Sequence, residues 1–89
     1  MKSIIQDSEE CYFCKSERDL QTHHCIHGTA NRKYADKYGL TVKLCPRCHT
    51  LLHDRNRKMD LELIQLAQSK FEEDHTRDEF RIIFGKSWL

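Results

Sequence analysis

The sequence predicts a small α+β domain stapled by metal, with a metal-bearing first half and two helices closing the C-terminal half. Three observations carry this. The first is a pair of C-x2-C elements, Cys11-x2-Cys14 and Cys45-x2-Cys48, thirty residues apart. The second is the concentration of five of the six histidines in the same stretch. The third is an amphipathic period after residue 59 that lacks strand-like alternation. At 89 residues the chain has room for one domain. A core of that size is marginal without a staple, because a short chain buries only about 60% of its unfolded surface.

Taken in order, Cys11-Tyr12-Phe13-Cys14 reads as a tight turn that presents two thiolates to one ion. Leu20 to Ile26 reads as a short strand. Thr29 to Gly39 reads as a helix with Thr29 as its cap and Gly39 as its stop. Leu40-Thr41-Val42-Lys43-Leu44 alternates apolar and polar residues, the mark of a second strand. Pro46 stands where a helix favours its first residue, and that helix carries Arg47 to about His53. Asp60 is placed to cap the next helix, whose stripe is Leu63, Ile64, Ala67 and Phe71. Thr76-x2-Glu79 has the form of a capping box, opening a last helix that buries Phe80, Ile83 and Phe84 before Gly85. The whole is expected to be one domain over residues 1–89, with a core over 11–58 and a helical extension over 59–89.

Composition excludes several classes. No run of aliphatic and aromatic residues is longer than Ile82-Ile83-Phe84, far short of a membrane span. Only Ile4 and Ile5 are adjacent apolar residues near the start, so no signal-peptide core is read there and a cytoplasmic location is expected. Five cysteines without an export signal favour metal over disulfides. The net charge of +1 hides an asymmetry: residues 11–58 hold ten Lys and Arg against four acids, while both flanks are acidic. A basic segment rich in metal ligands points to an anionic partner, and nucleic acid is the first expectation.

Each C-x2-C lets two sulfurs take adjacent corners of a tetrahedron, so Cys11, Cys14, Cys45 and Cys48 form a closed four-thiolate set suited to structural zinc. A rival set, Cys11, Cys14, His23 and His27, has only eight residues between its halves, where a ββα finger needs about twelve. Cys25 reads as a buried thiol, and His75 as a solvated side chain. Two features remain: the doublet His23-His24, and His49-x3-His53, which shares one helix face. Adjacent strand residues point to opposite faces, so the doublet serves one site only near a strand end. One of its histidines can then complete a triad with His49 and His53 while the other stays free as a base.

The order C-x2-C, His-His, C-x2-C-His-x3-His resembles the HNH endonucleases. The tail Phe84-Gly85-Lys86-Ser87-Trp88-Leu89 is similar, more weakly, to small HNH proteins of bacterial prophages. The resemblance implies a ββα-metal core around a treble-clef zinc knuckle. It casts His24 as general base and His23, His49 and His53 as ligands of a catalytic divalent metal. Three imidazoles suit Zn, Ni, Co or Mn better than Mg. The family's middle Asn is absent from Tyr38-Gly39-Leu40-Thr41-Val42. Asn31 is the residue available for its orienting role, a plain helix-surface Asn being the alternative.

The implied reaction is DNA phosphodiester hydrolysis leaving 5′-phosphate and 3′-hydroxyl ends. Arg32, Lys33, Arg47, Arg55, Arg57 and Lys58 are the expected backbone contacts, although residues 55–58 also read as a solvated turn. The competing expectation is a non-catalytic zinc module that binds nucleic acid or protein. A third is a subunit that cuts beside a phage packaging or recombination protein.

Overall fold

The computed structural model describes residues 3–55 and 57–89, with Arg55 described by its backbone. The elements run β1 (Gln21–His24), α1 (Thr29–Tyr38), β2 (Thr41–Leu44), α2 (Pro46–Arg55), α3 (Arg57–Phe71) and α4 (Arg77–Phe84). β1 and β2 pair antiparallel as a two-stranded sheet, with His23 opposite Val42 and His24 opposite Thr41. α1 fills the connection between them. A two-stranded sheet is barely stable alone, so it depends on the helices: α1 and α2 pack on β1, α2 also on β2, and α3 on α2. The result is a small α+β body with a radius of gyration of 12.5 Å.

Several local signals act as expected. Pro46 is the first residue of α2, and Gly39 ends α1 with φ 71°, a left-handed turn that costs glycine little. Thr76 and Glu79 form the reciprocal capping box at the start of α4. Others differ. β1 stops at His24, two residues early, because Cys25 and Ile26 turn into the core with no exposed surface. Gly28, with φ 106°, takes the N-cap position of α1, and Thr29 is already helical. α3 begins at Arg57, so Asp60 lies inside its first turn instead of capping it. Nothing between His53 and Asp60 is a Gly or Pro that would delay the helix, and an acid in a first turn suits the helix dipole.

The core joins both halves. Leu63, Ile64, Ala67 and Phe71 of α3 are buried as the stripe requires, together with Phe80 and Phe84 of α4, while Ile83 is only half-buried. Tyr34 and Tyr38 of α1 meet Phe84 and Phe71 edge-on, at 6.5 and 5.3 Å between ring centroids. His75 is not simply solvated: its ring stacks on Phe71 at 4.3 Å and its Nδ1 contacts Glu79. Gln68 is fully buried with both ends of its amide satisfied. Its Nε2 donates to Glu72 and Ser87, and its Oε1 accepts from the backbone N–H of Trp88. That folds the tail onto α3. Among the described residues, no helix is long and apolar enough to cross a membrane.

Candidate metal centres

Two clusters of candidate metal-binding side chains draw on α2, one through Cys48 and one through His49 and His53. The first is built from the two knuckles. The turn at Cys11 closes through backbone bonds from Cys11 N–H to Ser16 O and from Lys15 N–H to Cys11 O. The N–H of Tyr12 donates to Lys43 O, tying this turn to β2. β2 delivers Cys45 directly, and the first turn of α2 delivers Cys48. The four sulfurs lie within 4.8 Å of one another, Cys14 Sγ and Cys45 Sγ at 3.5 Å. All are free thiols. The set can hold a structural metal such as zinc.

Its electrostatics match that use. Burial raises the Cys11 thiol, but N–H groups of Cys14, Cys45 and Phe13 stabilise its thiolate and bring it down to about 6. Cys48 is pushed well up, by burial and then by hydrogen bonding among the neighbouring sulfurs. One thiolate forms readily, and further charge in the cluster needs a cation to balance it. Cys25 stands apart, fully buried, its thiol pushed up to about 12 by burial and the charge of Asp60.

The second cluster centres on His23. α2 lays His49 and His53 on one face, one turn apart, against β1. Ring centroids are 5.2 Å from His23 to His49, 5.5 Å from His23 to His53 and 4.7 Å between the α2 pair. Their donor nitrogens fall within 4.8 Å of one another. His23 is 2% exposed, and its Nε2 is a buried nitrogen without a hydrogen-bond partner among the described residues. Such an orphan costs about 1–3 kcal/mol, and an ion at the centre of three imidazoles removes that cost. Nδ1 of His49 donates to Gln21 Oε1 at 2.6 Å, which leaves Nε2 as its lone-pair nitrogen.

Because β1 ends at His24, both members of the doublet reach one cleft of about 420 Å3, lined also by His27, Gly28, Thr29, Arg32, His49 and His53. His24 Nε2 donates to Asp36 Oδ1 at 2.8 Å, leaving Nδ1 with the free lone pair. Asn31 does not touch that imidazole. Its Nδ2 donates to His27 O at 2.8 Å and so holds the turn that follows β1. His27 does not group with Cys11 and Cys14, whose cluster is completed by Cys45 and Cys48; it pairs with Asp60 of α3 at 2.5 Å. Of the basic residues read from the sequence, Arg32 lines the cleft. Lys33, Arg47, Arg57 and Lys58 are exposed on α1, α2 and α3, outside its lining. The side chain of Arg55 lies outside the described residues. Gln21, Asp36 and Asp60 are the site residues that sequence reasoning missed.

Burial pushes the His23 imidazole down to about 3, helped by the charges of His27, His49, His53 and His24. Its unfolded value is near 6.5, so the folded chain resists a proton that the unfolded chain accepts. This share of stability is complete above pH 6.5 and is lost as pH falls toward 3, at up to roughly 1.4 kcal/mol per pH unit. Zinc-loaded protein free of other cations should therefore melt at lower temperature at pH 5 than at pH 7. His23→Gln should flatten that slope. A melting temperature that stays level in the parent protein excludes the effect.

In comparison with known proteins, no family model, no curated protein and no solved structure matches the chain.

Proposed function

We propose that this chain is a metal-dependent DNA endonuclease of the HNH kind, with a treble-clef zinc knuckle supporting a ββα-metal site. The observation that supports it most is the buried, unpartnered Nε2 of His23 facing His49 and His53, in one cleft with His24 and Arg32. Held by His23, His49 and His53, a divalent ion supplies positive charge for a phosphate oxygen and the departing 3′-oxygen.

The chain's own residues do the rest. Nδ1 of His24 takes the proton of the attacking water, while Asp36 holds the opposite nitrogen and keeps the ring in that tautomer. Asp36 thus occupies the orienting role that the resemblance gave to Asn31, and Asn31 steadies the turn between base and helix. Arg32 binds a phosphate oxygen. The first turn of α1 adds backbone N–H groups, which Gly28 has no side chain to cap.

Incubation of zinc-loaded protein with supercoiled, linear and branched DNA, with Zn, Ni, Co, Mn or Mg added, tests the reading. Nicking with transition ions supports it. No cleavage of any DNA form, by protein that still binds DNA, leaves a non-catalytic zinc module instead. Binding should be electrostatic, with affinity falling as salt rises. Arg32→Ala should weaken it on every sequence and reduce the slope of log affinity against log salt by about 0.9. Affinity indifferent to salt would point to a protein partner, such as a phage packaging or recombination protein.

A further inference from the structure

The cleft holds one histidine more than the triad and the proposed base His24 use. His27 sits in the turn after β1, its ring centroid 5.5 Å from that of His23 and 5.9 Å from that of His53. Across from it, Asp60 in the first turn of α3 places Oδ1 at 2.5 Å from His27 Nε2. The donor atoms of His23, His27 and Asp60 also lie within 4.8 Å of one another. The residue common to both sets is His23, 2% exposed, whose Nε2 has no partner among the described residues.

We propose that His23, His27 and Asp60 form a second, alternative position for a divalent cation, sharing His23 with the triad. One nitrogen lone pair serves one ion at a time, so the two positions exclude each other through Nε2 of His23. Their donor chemistry differs. The triad is three neutral imidazoles, which favour Ni2+ and Zn2+. The second set replaces one imidazole with a carboxylate, bringing a negative charge and an oxygen that favour a harder ion such as Mn2+. Asp60 also belongs to α3, so an ion held there links the C-terminal helices directly to the cleft. The alternative is a plain His27–Asp60 hydrogen bond with no ligand role.

The inference rests on His23 as a ligand and is independent of DNA cutting, so it is tested without DNA. Protein keeping its four-cysteine zinc is titrated with Mn2+, followed by the loss of the free-ion paramagnetic resonance signal, and with Ni2+ by calorimetry. Asp60→Asn should weaken Mn2+ binding about tenfold or more, since even an outer-shell partner of a ligand is worth roughly 10–100-fold. It should leave Ni2+ affinity within about twofold. The pair His49→Gln with His53→Gln should lose Ni2+ yet keep Mn2+, and adding Asp60→Asn should then abolish Mn2+ binding.

Mn2+ affinity unchanged by Asp60→Asn, or no Mn2+ binding by the parent protein, overturns the proposal. Mn2+ lost with the His49 and His53 pair does the same, provided the circular dichroism spectrum is intact. If that double variant loses its fold, Asp60→Asn and His27→Gln in the otherwise unaltered chain decide alone. Ni2+ binding that ignores both His49 and His53 refutes the triad and leaves the Mn2+ arms to judge the second position separately.

Discussion

Cys45→Ser is expected to abolish folding, with zinc content and helical signal falling together. Cys45 is 6% exposed at the junction of β2 and α2, and its Sγ accepts from the Cys48 N–H and touches Cys14 Sγ. One substitution therefore disconnects the N-terminal turn from the helix that carries His49 and His53. Magnitudes favour collapse over local damage. Structural zinc in small fingers supplies apparent binding energies of about 10–16 kcal/mol at neutral pH, whereas small domains are stable by only about 5–15 kcal/mol. A strong chelator should reproduce the variant's behaviour, and acid should too, since thiolates must be unprotonated to bind. Circular dichroism and elemental analysis on the same samples check this. Folded, thiol-reduced protein that contains no zinc would falsify the four-cysteine site.

His24→Ala should lower the rate of DNA nicking by about 10²–10⁴-fold while folding and DNA affinity change little. The separation follows from where the side chain sits. His24 is the last residue of β1, half-buried at the cleft and bonded to exposed Asp36, so its loss leaves no cavity in the core. Asp36→Asn is a finer probe. An amide can still accept from His24 Nε2 but brings no charge, so the ring keeps its place and loses basicity. Nicking should then fall while DNA affinity and melting temperature hold, because the ring that takes the water's proton has lost its charge partner. Melting temperature, affinity and rate measured on each variant distinguish this from a structural histidine, whose loss would depress all three together. Nicking unchanged in His24→Ala, in protein free of host nucleases, refutes the assignment.

Much of the candidate site was readable before any fold. C-x2-C and His-x3-His each confine two ligands within one turn of chain, so spacing alone says which pairs can meet. The four sulfurs and the His23, His49 and His53 nitrogens indeed cluster within 4.8 Å. Pro46, Gly39 and the Thr76–Glu79 box likewise mark helix ends through bonds between near neighbours. The misplaced boundaries are equally instructive. Asp60 carries a strong capping signal, yet α3 starts at Arg57 and the Asp60 carboxylate pairs with His27 instead.

Local spacing was thus enough to give the cysteine and histidine pairs that come together, the α+β class and the helical stripe of Leu63, Ile64, Ala67 and Phe71, since each follows from short stretches of chain. Which distant groups attend those pairs depends on the assembled fold. Asp36 reaches His24 across 12 positions, Gln21 reaches His49 across 28, and Asp60 reaches His27 across 33. No periodicity encodes those pairings. They are set by where β1 breaks off, how α1 fills the gap between the strands, and how α3 packs against α2, which are properties of the assembled core.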